Sequence, residues 1–297
     1  MGRRSTWSAR TRHQDEPAGD CNMANEIGKL GIFRPWMWLS PELAAEVEKL
    51  GYGTIWLGGG APDGKLDNVE KLLDATDRIV VATGIVDMWK YDAATIAASY
   101  HRLSAKHPGR FLLGLGVGHP EVTQEYMKPT DKIAEYLGQL DRADVPVEDR
   151  ALAALGPKVL KLAAEHTAGA IPYLTTVAHT HDARQVLGGV PFLAPEHKVI
   201  LDTDADRARS LARETLQFYL TLSNFISSFR RLGFTDEDFA NGGSNRLIDS
   251  MVAWGDAESI TAGLAEYLDA GADHVAVQAL GEDPLPALRA VAELLLA

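Results

Sequence analysis

Residues 93–117, AATIAASYHRLSAKHPGRFLLGLGV, run a helix-spaced segment through a breaker into a strand. The spacing predicts a helix over 93–106 that stops before His107-Pro108-Gly109, since proline and glycine interrupt the backbone pattern, and a strand over 111–117. The same order recurs on both sides. Upstream, a strand at 29–33 precedes a helix at 41–50 with apolar Leu43, Val47 and Leu50, Ser40 as N-cap and Gly51 as its stop. A strand at 54–57 and the loop Gly58-Gly59-Gly60 follow, then a helix at 69–77 and a β-branched run at 79–86. Downstream, strands are expected at 151–155, 169–174, 193–201 and 274–280, with helices at 158–166 and 285–296. Strands alternating with amphipathic segments predict parallel strands joined by crossover helices, and eight strands suffice to close a cylinder. The expected fold class is therefore α/β, a (β/α)8 TIM barrel, over residues 27–297. Two longer stretches, 121–150 and 203–260, read as largely helical insertions at the C-terminal face, where barrel insertions build active sites.

The length of 297 residues suits such a barrel, and 46% apolar with 24% charged residues describes a chain able to bury a large core. A formal charge of −12, from 41 acidic against 29 basic side chains, argues against nucleic acid or an anionic membrane surface as partner. Any phosphate site must therefore be local. The single cysteine, Cys21, excludes an intramolecular disulfide and fits a reducing, cytoplasmic setting. Residues 1–26 read as an unstructured tail, or as a start placed upstream of Met23, because the two early arginines have no apolar run behind them.

Three segments can carry chemistry. Leu113-Gly114-Leu115-Gly116-Val117-Gly118-His119-Pro120 ends a strand in alternating glycines, which serve either a close approach to a ligand or an ordinary strand-end turn. Gly156-Pro157-Lys158-Val159 opens a helix with Pro157 near N1; the free amides there suit a phosphate, or belong to a plain tight turn. In Ala82-Thr83-Gly84-Ile85-Val86 a glycine inside a strand marks a bulge or close approach. Trp36, Trp38, Trp56 and Trp89 fall near strand ends, as an aromatic wall or as core. His119 is the first candidate for an acid–base group, with His179 and Glu196 behind it. His179 and His181 sit in the expected loop after the sixth strand, but no acidic pair completes a metal set, and no metal is expected. Glu196 and His197 suit a buried ion pair or an active-site role. Serine-hydrolase, zinc-protease and P-loop motifs are absent from the sequence.

Together these segments resemble the luciferase-like flavin-dependent superfamily, in its branch using the 5-deazaflavin coenzyme F420. The run Gly109-Arg110-Phe111-Leu112-Leu113-Gly114-Leu115-Gly116-Val117-Gly118 is similar to that branch's fourth strand, and Ala153-Ala154-Leu155-Gly156-Pro157-Lys158 to its phosphate loop. Leu193-Ala194-Pro195-Glu196 and Leu232-Gly233-Phe234 resemble an actinobacterial oxidoreductase subgroup. The resemblance implies hydride transfer to or from a small or medium organic substrate. It implies a ring lying over Gly84 and Ile85, where the family often has a non-prolyl cis peptide. It implies the phosphate on the amides of Gly156, Lys158 and Val159 beside Pro157, Val117 and Gly118 bordering the polar tail or the substrate, and a homodimer. FMN is the alternative cofactor, with a monooxygenase activity, and a catalytically silent flavin-binding protein is the third reading. Gly58-Gly59-Gly60 departs from the Asp-His pair that sugar-phosphate dehydrogenases of the branch carry after strand 2, so that activity is not expected.

Overall fold

The computed structural model describes residues 26–118 and 128–296. The expected tail and Cys21 fall outside them, apart from residue 26. Strands β1 (Leu30–Pro35), β2 (Thr54–Gly58) and β3 (Val80–Gly84) lie parallel in order. Helix α1 (Pro41–Lys49) crosses from β1 to β2, and α2 (Asp67–Asp74) from β2 to β3. Strand β4 (Val86–Asp87) and helix α3 (Ala93–Lys106) precede β5 (Phe111–Gly116). Next come α4 (Pro129–Arg142), β6 (Arg150–Leu152), α5 (Pro157–His166), β7 (Gly169–Ala170) and α6 (Val177–Leu187). The chain continues as β8 (Phe192–Leu193), β9 (Glu196–Leu201), α7 (Ala205–Leu216), α8 (Ser223–Arg231), α9 (Asp236–Phe239) and α10 (Asn245–Met251). It ends with β10 (Val252–Gly255), α11 (Ala257–Asp269), β11 (Val275–Ala279) and α12 (Leu285–Leu295).

The sheet closes through the seventh expected strand. Its run breaks at Ala194-Pro195 into β8 and β9, but its hydrogen bonds continue: the amides of Phe192, Ala194 and Glu196 donate to the carbonyls of Ala168, Ala170 and Pro172 at 2.8, 2.9 and 2.9 Å. On its other edge Ala276 N–H donates to Pro195 O at 2.9 Å, and Ala276 to Ala279 pair with Glu196 to Val199. Since β11 also pairs β1, the expected (β/α)8 cylinder is complete. The run expected at 79–86 divides around the Gly84–Ile85 peptide, which is cis, into β3 and β4. The 203–260 insertion is not wholly helical, because β10 takes over the edge of β9 in the register Val252 with Lys198 to Gly255 with Leu201. Strands expected to reach 155 and 174 end earlier, at Leu152 and Ala170.

The pleat sorts residues into two layers. Ile55, Leu57, Val81, Phe111, Leu113, Leu115, Val275 and Val277 face the helices in one buried cluster, whereas Trp56, Val80, Ala82, Leu112, Phe192 and Ala276 fill the interior of the cylinder. A third cluster joins α7, α8 and α10 to β9 and β10 through Leu216, Phe225, Phe229, Leu247 and Val252. Side-chain caps set helix starts: Ser40 accepts from Leu43 N–H at 3.2 Å, and Asp92 from Thr95 N–H at 2.8 Å.

Candidate active site

The interior of the cylinder is filled by large side chains at its base and by small ones at the C-terminal mouth. On β5 the inward positions are Leu112, then Gly114 and Gly116, with the leucines between them turned outward. A Cβ on Gly116 would lie 2.5 Å from Ile85 Cδ1, and one on Gly84 would lie 2.8 Å from Phe33 Cε2. Neighbouring mouth positions hold Ala153, Ala194 and Ala276. The result is a cavity of about 660 Å³ floored by Phe33, Trp56, Ile85 and Ile171 and roofed by Tyr219, Phe225 and Arg231 from the 203–260 insertion. Its size lies within the range of small-molecule and cofactor sites. Trp56 is fixed in the floor by a 2.9 Å bond from its Nε1–H to His274 Nε2, and His274 Nδ1–H donates to Gly28 O at 2.7 Å.

One end of the cavity is polar. Glu196 and Lys198, inward on β9, form a 2.8 Å ion pair, with Lys198 fully buried. Burial raises the Glu196 carboxyl and lowers the Lys198 ammonium, each opposed by the charge of the other. Lys198 Nζ stands 4.0 Å from the centre of the Tyr173 ring. Tyr173 Oη lies 2.9 Å from Tyr219 Oη and donates to Gln278 Oε1 at 3.2 Å. Desolvation raises both phenols, so they stand protonated.

The other end suits an anion. Helix α5 starts at Gly156 and Pro157 with no side-chain cap. The amides of Gly156 and Lys158 meet no protein acceptor among the described residues, and Arg231 lines the cavity beside them. A Cβ on Gly156 would find its nearest atom, Arg231 Nη2, 3.9 Å away. The Gly156 amide, the α5 dipole and the Arg231 guanidinium thus meet at this end of the cavity.

Of the residues expected from sequence, Gly84, Ile85, Val117, Gly118, Gly156, Val159 and Glu196 line this one cavity. Pro157 and Lys158 do not line it, and the Val159 amide is directed away because it donates to Gly156 O at 3.0 Å, closing the first turn of α5. His179 does not reach the cavity. It and His181 sit in α6 rather than in a loop, where Thr176 caps the helix by accepting from His179 N–H at 3.2 Å. His179 Nε2 meets Leu155 O at 3.1 Å, which ties α6 to the turn before α5, and burial lowers its pKa. His119 lies outside the described residues. His197 points away from the cavity onto the Tyr267 ring, 4.6 Å between centroids. Trp56 and Trp89 line the cavity; Trp36 packs against the core cluster between barrel and helices, and Trp38 is exposed. Among the described residues no group of three or more His, Cys, Asp or Glu can hold a metal ion, and no helix is long and apolar enough to cross a membrane.

The sequence reading missed Tyr173, Lys198, Tyr219, Arg231 and Gln278. Parity would have found Lys198 and Gln278, which repeat the inward positions of Ala194, Glu196 and Ala276 two residues at a time.

Residues 40–144 match the model of the luciferase-like monooxygenase family. A curated relative, N-acetyl-S-alkylcysteine monooxygenase of Bacillus subtilis (strain 168), is 32% identical over 136 residues. That match covers 39% of this chain and spans 40% of the relative's length. The solved structure of an F420-dependent secondary alcohol dehydrogenase in complex with an F420–acetone adduct is similar at a TM-score of 0.70 and 17% identity, covering 90% of this chain and 97% of that one. The FMN-bound oxygenating constituent of 3,6-diketocamphane monooxygenase from Pseudomonas putida is similar at 0.63 and 14%, covering 90% and 97%. The luciferase-like part of the resemblance is borne out by the family match over residues 40–144, and the solved structures share the fold.

Proposed function

We propose that this chain, luciferase-like by family match and by fold, is an oxidoreductase that uses a deazaflavin of the F420 type on a small or medium organic substrate. The observation that supports this most is the convergence on one cavity of the glycine-lined mouth, the uncapped start of α5 and Arg231. The residues fit the group: Phe33, Trp56 and Ile85 offer an apolar bed for a ring, and the Gly156 amide with Arg231 offers donors for its phosphate. F420 is preferred for the glycine run at residues 109–118 and for the likeness to the alcohol dehydrogenase. Bound there, the deazaflavin supplies or accepts a hydride. The chain's own groups orient and exclude. Arg231 and the start of α5 anchor the anion, and the apolar floor keeps water from the reacting face. Glu196 Oε2, engaged only by a 3.4 Å bond from Leu174 N–H among the described residues, is the oxygen placed to take or return a proton. His119 is retained as the alternative donor.

FMN with a monooxygenase activity is the second reading, favoured by the 32% identity to the N-acetyl-S-alkylcysteine monooxygenase. Titrating the protein with F420 and with FMN separately, and following cofactor fluorescence, tests both. Saturable binding of F420 at least tenfold tighter than FMN is expected. The reverse order turns the reading to FMN, and no binding of either ends the redox assignment.

A further inference from the structure

We propose that the polar end of the cavity is a hydrogen-bonding subsite for one uncharged oxygen, a carbonyl or hydroxyl, on an otherwise apolar, aromatic-sized ligand. The inference names the substrate class of the site described above and rests on that reading only for which molecule occupies this end.

Tyr173 has one hydroxyl hydrogen, and it goes to Gln278 Oε1 at 3.2 Å. The 2.9 Å contact between the two phenols must then be filled by the Tyr219 hydrogen, donated to Tyr173 Oη. This one-way chain, Tyr219 to Tyr173 to Gln278, leaves two groups unspent: the amide hydrogens on Gln278 Nε2, which meet no acceptor among the described residues, and the lone pairs of Tyr219 Oη. Both side chains line the cavity. A carbonyl oxygen can accept from Gln278. A hydroxyl can accept from Gln278 and donate to Tyr219.

Charge decides against an acid. Lys198, the cation nearest this end, is spent on Glu196 at 2.8 Å and faces the Tyr173 ring at 4.0 Å, and it does not line the cavity. Glu196 does line it. Arg231 stands six residues along α8 from Phe225, whose ring packs on Tyr173 and Tyr219, and its guanidinium is at the Gly156 end, Nη2 lying 3.9 Å from where a Cβ on Gly156 would be. A carboxylate or phosphate placed among Tyr173, Tyr219 and Gln278 would therefore meet Glu196 without a cation of its own. Besides Glu196, the cavity lining includes the apolar side chains Phe33, Ile171, Ala194, Phe225 and Ala276.

The test uses the full chain without cofactor, so its outcome is separate from that of the cofactor titrations. Acetophenone, 1-phenylethanol, ethylbenzene and benzoate are titrated by calorimetry. The ketone and the alcohol are expected to bind about tenfold tighter than ethylbenzene, the discrimination that a buried polar pair imposes, and benzoate most weakly. Gln278→Met should erase the advantage of both oxygenated ligands while keeping ethylbenzene. Tyr219→Phe should weaken the alcohol by several-fold and leave the ketone unchanged, a split that general loosening of the cavity would not produce. If Gln278→Met fails to fold, the alcohol–ketone split in Tyr219→Phe decides. Tighter binding of benzoate than of acetophenone, or equal binding of alcohol and ethylbenzene by the native chain, overturns the proposal, as does an unaltered alcohol–ketone ratio in folded Tyr219→Phe.

Discussion

Gly156 separates function from folding more cleanly than any other residue at the site. Its φ of −119° is open to every amino acid but proline, and a Cβ there has only the end of a flexible arginine within 4 Å. Gly156→Val should cost only about 1 kcal/mol of stability, the amount by which glycine is favoured over an aliphatic residue at an N-cap. The valine methyls would nevertheless fill the space that the α5 amides and Arg231 share, and cofactor affinity should fall by at least about tenfold. Thermal unfolding and cofactor titration of the same sample check this, and a variant that binds as the native chain does would move the anion elsewhere. Glu196 behaves oppositely. Glu196→Gln strands the Lys198 ammonium in the interior, and removing one partner of a buried pair costs about 3–5 kcal/mol. Denaturant unfolding should show that loss; a change under 1 kcal/mol would mean that water reaches Lys198.

Among the elements, the turn into β3 is held by a side chain from α1. The Glu48 carboxylate accepts from the amides of Asp77, Arg78 and Ile79, at 3.0, 2.6 and 2.8 Å. Desolvation works to raise its pKa, but those amides and the Arg110 charge outweigh it and the net shift is downward. Glu48→Ala should cost about 1–3 kcal/mol, because charge-assisted bonds to backbone donors are lost while the turn keeps its place. Equilibrium unfolding of the variant checks this, and an unchanged midpoint would mean that water serves the amides equally well. Nothing in the spacing of α1 announces that clamp. Helix α3 was readable to its ends because Asp92 caps it and His107-Pro108-Gly109 stops it, both local signals. Strands β6 and β7 were read too long, since their apolar runs continue into loops that line the cavity. Strand β10 was missed because its four residues, Val-Ala-Trp-Gly, pair with an edge of β9 that is set by closure of the whole sheet. The same limit hid Tyr219 and Arg231: their place over the mouth depends on how the insertion packs, a contact far away in sequence. Gly84 and Gly156, by contrast, could be named from the sequence as candidates, because glycine inside a strand or before a helix allows close approach, although an ordinary bulge or turn uses the same signal.

For the molecule as a whole, acid should find its weakness in histidines buried neutral. Desolvation lowers His197 to about 3, with Lys198 beside it adding to the effect. Desolvation also lowers His274 to about 4, against smaller opposing bonds to Gly28 and Ile27. Above pH 6.5 neither contributes, because both states of the chain carry neutral imidazoles. Below 6.5 the unfolded chain takes protons that the folded one refuses, so stability falls as pH falls, by up to about 1.4 kcal/mol per pH unit for each histidine. The fall from these two ends near pH 4 for His274 and near 3 for His197. Carboxylates held low in the fold, Glu48 among them, act in the same direction only below about 4.5, where their unfolded forms titrate. Glu196, raised by burial, acts against the histidines in part of the window, so the comparison must be with a variant that leaves it in place. His197→Phe keeps an aromatic ring on Tyr267 and removes the proton site. Between pH 6 and 5 its stability, measured in urea, should depend on pH less steeply than the native chain's, by about 1 kcal/mol per unit. Parallel curves for the two proteins would mean that His197 is protonated in the fold, and its place against Tyr267 in the outer wall of the barrel would have to be redrawn.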